Sequence, residues 1–165
     1  MEAVARHLRD KALEFDGEKA GEDADLFGRS AFNRYYYAAF LITRKKLKPI
    51  FVDLPGKHAA IPDFLRGHVA RELNRRKRVA MRAEDYASVQ AVQNGRNAAL
   101  KLADLLVQGY SARVVADYHP ELAVSFNGQG FLLNEVPVSD AVSWPTLARQ
   151  FVLAIVNAMR QTDAC

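Results

Sequence analysis

The sequence predicts an all-α protein, a helical bundle with one small β-hairpin inserted at about residues 122–138, before the last helix. Apolar residues recur at helical spacing along most of the chain, in stretches separated by glycine, proline or polar residues. Past Pro120 the period changes: Leu122, Val124 and Phe126, then Phe131 and Leu133 onward, flank Asn127-Gly128-Gln129-Gly130. Alternation around such a loop is a hairpin signal. Helical spacing then resumes after Ser143 and Pro145.

The first helix is expected over Glu2 to Phe15, where Val4, Leu8, Ala12 and Phe15 fall on one face. Gly17 to Asp25 is polar, carries two glycines and reads as a loop leading to a new helix N-terminus. Residues 1–28 hold eight acids against four bases, so this end is acidic. The central helix spans Ala24 to Lys48, with Phe32, Tyr36, Ala39, Phe40 and Leu47 along one stripe. Acids at its start and Arg44, Lys45, Lys46 and Lys48 at its end suit the helix dipole, and Pro49 stops it. Tyr35, Tyr36 and Tyr37 cannot all face one side, so at least one hydroxyl is expected at a polar surface or cleft.

Pro55-Gly56 marks a turn, and Lys57 to Arg82 reads as a basic helix interrupted near Gly67. Between Arg66 and Arg82 stand seven bases and Glu72 alone, a net of +6; the whole chain is +4, leaving −2 for the rest. In a helix Arg71, Arg75, Arg78 and Arg82 form a stripe at i, i+4, i+7 and i+11 that suits a polyanion backbone. The same stripe also suits a solvated face or a surface for an acidic partner. A further helix is expected from Ala83 or Asp85 to about Ala116, with Val89, Val92, Leu100, Ala103, Val107 and Tyr110 near one face and Gly95 as a soft point. The last helix, capped by Ser143 with Pro145 early in its first turn, carries Leu147, Phe151, Ala154, Ile155 and Ala158.

At 165 residues, half of them apolar and a quarter charged, the chain is expected to form one domain over 1–165. No apolar run approaches the ~18 residues of a membrane span, and the N-terminus lacks the apolar core of a signal peptide. No membrane association is expected, and the expected compartment is the cytoplasm. The lone Cys165 reads as a tail thiol, which excludes a disulfide framework. His7, His58, His68 and His119 lack metal-ligand spacing, so neither a structural metal nor a cofactor is expected. A P-loop, a dinucleotide-binding fingerprint, a Gly-x-Ser-x-Gly elbow and a His-Glu-x-x-His helix are all missing from the sequence.

The candidate chemistry lies in Tyr110 to Pro120. Pro120 disfavours helical backbone at His119, so the long helix is expected to unwind around Asp117 to Tyr118. Residues six apart on a continuous helix are about 240° apart at ~100° per residue; the break lets Arg113 and His119 converge. Imidazole suits proton transfer near neutral pH and guanidinium suits phosphate oxygens. The plainer alternative makes Arg113 a solvated charge near a helix C-terminus and His119 a polar turn residue.

Two stretches resemble a known superfamily. Ser30-Ala-Phe-Asn-Arg-Tyr-Tyr-Tyr-Ala-Ala-Phe40 resembles the second-helix signature of the HEPN superfamily, and Ala112-Arg-Val-Val-Ala-Asp-Tyr-His119 resembles its arginine-to-histidine signature, with five intervening residues. The resemblance implies an up-down helical bundle, usually a homodimer, and in active members a metal-independent endoribonuclease that cleaves RNA as a toxin or antiviral defence effector. Carried over by position, Arg113 and His119 are the catalytic pair, and Asn33 and Tyr37 line the same cleft; Asp117 is expected to line it too, and in this reading the stripe of Arg71, Arg75, Arg78 and Arg82 is expected to guide RNA toward the pair. Val114 follows Arg113 where active members carry a polar residue, and Glu121 stands where a tyrosine is usual. Members with the Ala-Asp-Tyr form include inert ones, in which Asp117 and Tyr118 are structural. The alternative is therefore a catalytically inert dimerisation or ligand-binding subunit acting with a partner such as a nucleotidyltransferase antitoxin, Arg113 and Asp117 pairing to hold a turn. A weaker third reading is a helical DNA-binding accessory protein.

Overall fold

The computed structural model describes residues 1–18 and 21–163, and the expected tail thiol, Cys165, lies outside them. The described residues form an all-α bundle with a small antiparallel sheet before the last helix. The helices are α1 (Glu2–Gly17), α2 (Gly21–Leu47), a short α3 (Ile61–Phe64), α4 (Ala70–Arg82), α5 (Tyr86–Tyr118) and α6 (Val138–Asp163). The strands are β1 (Ser125–Phe126), β2 (Phe131–Leu133) and β3 (Val136–Pro137), paired in the order β1-β2-β3. The chain divides into two compact units, Met1–Ala39 with Gln108–Pro145, and Phe40–Val107 with the residues from Thr146 on. Among the described residues no helix is long and apolar enough to cross a membrane.

The first unit is built on aromatic side chains. Phe32, Tyr35 and Tyr36 from α2, Phe131 and Leu133 from β2, and Trp144 from α6 are all buried. Phe32 meets Phe131 edge-on, ring centroids 5.9 Å apart, a favoured aromatic geometry. Gly109 permits this packing: a Cβ there would stand 2.8 Å from Tyr36 Cδ2 and 3.5 Å from the Trp144 ring. Two of the three tyrosines are thus core, and Tyr37 alone is half-buried.

The structure corrects several expectations in this unit. Val4 is exposed and Ala5 takes its place beside Ala12 in the buried face of α1. Neighbouring positions differ by only ~100°, and the smaller alanine permits the closer approach. The expected loop from Gly17 shortens, because α1 runs through Gly17 and α2 begins at Gly21 with Glu22 and Asp23 in its favoured first turn. The hairpin has a third strand: Asn134 and Glu135, at φ 47° and 67°, make a tight turn that pairs Leu133 with Val136. Without glycine in that turn, the sequence signal was weak. The last helix starts at Val138 rather than at Ser143, which enclosed Pro145 within it. Ser143 Oγ donates to the Asp140 carbonyl instead of capping, and Val138 and Ala141 bury ahead of Trp144, extending the apolar stripe backward.

In the second unit the basic stretch is segmented. His58–Ala60 forms a 3₁₀ turn, α3 follows, and a π-type turn over Leu65–Val69 leads into α4. The interruption expected near Gly67 is this wider turn, which keeps Leu65 and Val69 fully buried on either side. In α5, Val92 and Ala103 bury as expected but Val107 is 42% exposed; Leu102 and Leu106 carry the core instead. Gly95 is a close packing point rather than a soft one, since a Cβ there would stand 2.6 Å from the Ala158 Cβ of α6.

Candidate functional site

Four polar residues of α2, Asp25, Arg29, Asn33 and Tyr37, follow one another at four-residue spacing, which aligns them on one helix face. Three of them engage the C-terminal end of α5 and the turn that follows. Asp25 Oδ2 lies 2.6 Å from Arg29 Nε, and Asp25 Oδ1 accepts the Val124 N–H at 2.6 Å. Arg29 is 8% exposed and donates to the carbonyls of Val115 and Ala116 at 3.3 Å, His119 at 3.2 Å, Pro120 at 3.3 Å, and Leu122. The last carbonyls of a helix have no partner within it, and here one guanidinium serves them together with the exit turn.

That support explains why α5 runs on through Tyr118, with the His119 N–H still bonded to the Val115 carbonyl at 3.1 Å. The expected unwinding at Asp117 to Tyr118 is displaced to His119. Arg113 and Asp117 therefore stay one helical turn apart and form an ion pair, Nε to Oδ2 2.8 Å. The N–H does not point along that line, so Arg113 Nε is buried without a well-aligned hydrogen bond. Asn33 Nδ2 donates to the other carboxylate oxygen, Asp117 Oδ1, at 2.6 Å, and the Arg113 guanidinium lies 5.3 Å from the Tyr118 ring centre. Burial opposes the Arg113 charge, but the hydrogen bond to Tyr118 and the nearby Asp117, Tyr118 and Tyr37 outweigh it, so its pKa is raised. Arg113 is a fixed cation.

His119 stands on the exit turn with its side chain 46% exposed, Nδ1 2.8 Å from Glu121 Oε1. The Glu121 carboxyl is held below its usual range, first by its own backbone N–H and then by His119. Of the expected site, Arg113, Asp117 and Asn33 are joined directly, while His119 has Glu121 as its partner. The sequence reading missed Asp25 and Arg29, although the four-residue ladder from Asp25 to Tyr37 was the signal that could have found them.

The arginine stripe belongs to the second unit. Arg71, Arg75, Arg78 and Arg82 are exposed along α4 as expected, with Arg75 forked onto Glu72 at 2.7 and 2.8 Å. Arg76, off the stripe, also binds Glu72 at 2.8 Å and donates to the Met159 carbonyl at 3.0 Å and to Thr162 Oγ1 at 2.8 Å. Hydrogen bonding from Arg75, joined by Arg76 against the effect of burial, lowers the Glu72 carboxyl to about 2.

No family model, curated protein or solved structure matches this chain.

Proposed function

We propose that the chain is a metal-independent endoribonuclease of the HEPN type, acting on RNA as a homodimer in a toxin or defence role. The observation that carries this reading is the His119–Glu121 pair on an exposed turn. A carboxylate accepts hydrogen bonds, so neutral His119 keeps its proton on Nδ1 and turns Nε2 into the basic nitrogen. An imidazole oriented by a carboxylate is suited to take a proton from a ribose 2′-hydroxyl as it attacks the adjacent phosphate. Arg113 supplies fixed positive charge for the phosphorane oxygens. Two copies related by a two-fold axis would provide one imidazole as base and the other as acid.

The Arg113–Asp117 ion pair favours a second reading. A guanidinium already neutralised by a neighbour and braced by Asn33 fits an inert subunit that dimerises or binds a ligand beside a partner such as a nucleotidyltransferase. Cleavage of total RNA by purified protein in EDTA, wild type beside His119→Ala, with end-group analysis, separates the two. Cleavage that leaves 2′,3′-cyclic phosphates and disappears with His119 is the expected result. A folded dimer that is inert in both forms would move the assignment to the second reading.

A further inference from the structure

The second unit carries an open groove of about 540 Å³ between the last turns of α2 and one face of α6. Ile42, Lys45 and Lys46 lie on one side of α2, and Arg149, Val152, Val156 and Arg160 follow at i, i+3, i+7 and i+11 along α6. Pro49 and Ile50 add to the wall just past the end of α2, and Leu153, also in the wall, is 58% exposed. Lys45, Lys46, Arg149 and Arg160 are all exposed, and among the described residues no acid lines the groove.

Apolar side chains scattered singly over a surface need no partner, but here a contiguous strip is framed by charge of one sign. An occupant that matches it is apolar along its middle and acidic at its edges. A flat anionic bilayer would leave the groove unfilled, and pairing groove to groove across a two-fold axis would set four cations against four. The complementary face is present in the first unit of the same chain. Residues 16–26 hold five acids against one base. In the first turns of α2, Glu22 and Asp23 stand four and three residues before Leu26, so the three share one helix face. Both acids are exposed and Leu26 is 58% exposed, while Ala24, on the opposite side, is fully buried.

We propose that the groove receives the start of α2 from a second copy of the chain, with Leu26 on the apolar strip and Glu22 and Asp23 against the cations of its rim. The contact is heterologous, the first unit of one copy on the second unit of another, and it does not depend on the RNA reading above. One helix end in one groove falls well short of the ~1,200 Å² of a standard interface, so the association is weak and depends on concentration.

The test is sedimentation velocity of the full-length protein, freed of nucleic acid, from micromolar to near-millimolar concentration at low salt. The average mass is expected to rise with concentration, and the rise to shrink at high salt. The pair Lys45→Glu and Lys46→Glu in one variant, and the pair Glu22→Lys and Asp23→Lys in another, should each weaken association about tenfold or more by setting like charges opposite each other. Mixing the two variants restores one native contact and creates its charge-reversed counterpart, so association should return, as it should when all four substitutions are combined in one chain. A loss caused by a disturbed fold would not be rescued in this way. Leu26→Ser, at an exposed position, should weaken association about tenfold at an unchanged melting temperature, and it reads the contact independently of any charge at a helix end. A rise in mass that none of these substitutions alters places the contact on another face and overturns the proposal. Loss in the two charge variants without rescue on mixing also overturns it. So does a mass that stays constant at every concentration, in which case an acidic helix of another protein becomes the occupant to seek.

Discussion

Arg29 in the first unit and Arg76 in the second carry out one task in different surroundings. Each is ion-paired to a carboxylate four residues earlier on its own helix, Asp25 and Glu72, and each reaches the C-terminal end of another helix. Arg29 is almost wholly buried and binds the α5 carbonyls together with those of the exit turn. Arg76 keeps more solvent, reaches one carbonyl and one hydroxyl, and shares its carboxylate with Arg75. The cost of breaking such a cap grows with the number of groups it leaves buried and unpaired. The first device holds a turn that carries His119; the second closes a helix end.

The largest effect is expected from Arg29→Ala. It takes one donor from Asp25, which keeps the Val124 N–H, and from several carbonyls, of which those of Val115 and His119 keep a backbone donor; the loss is about 3–5 kcal/mol, as for a broken buried pair. Arg29→Lys keeps the charge but not the fork and should recover only part of that loss. Arg76→Ala should cost about 1.5–3 kcal/mol, the range for hydrogen bonds made by a charged group. Urea unfolding of the three variants measures the order directly. If Arg76→Ala equals or exceeds Arg29→Ala, burial is not what separates the two caps.

Glu72→Gln sharpens the comparison through pH. The folded carboxyl sits at about 2 against an ordinary 4.5. A lowered folded pKa means stability that is present above the ordinary value and is lost as pH falls toward the folded one. Because Glu72 remains partly exposed and screened, the gain is discounted to about 1 kcal/mol. Wild type and Glu72→Gln should therefore differ at pH 7 and converge near pH 2 in thermal melts. A constant offset across that range would mean that charge is not what Glu72 contributes.

The helical fold class was legible because apolar spacing is repeated along most of the chain, and the position of the hairpin loop was given by Asn127-Gly128-Gln129-Gly130. The third strand and the early start of α6 were not legible, since Asn134-Glu135 lacks glycine and Pro145 reads as a first-turn residue. Both depend on packing: Leu133, Val138 and Ala141 bury once the chain has turned. In the candidate site, Arg113, Asp117 and His119 stood out by residue type, but Arg29 did not. The ladder from Asp25 to Tyr37 marks its helix face, but not the distant carbonyls, from Val115 to Leu122, that it serves.

The smallest effect on stability, and the most informative, is expected on the turn that Arg29 supports. His119 and Glu121 are exposed and close in sequence, and such pairs add little to folding. Glu121→Ala and Glu121→Gln should melt with wild type, whereas Arg29→Ala should not. Under the ribonuclease reading their activities should still part. Glutamine retains an oxygen that can accept the Nδ1 proton and orient the ring, so Glu121→Gln loses only the charge, and Glu121→Ala loses the orientation as well. RNA cleavage should fall more for alanine than for glutamine at equal melting temperature. If both variants cleave like wild type while His119→Ala does not, the imidazole acts without its carboxylate, and the task of orienting it passes to the backbone held by Arg29.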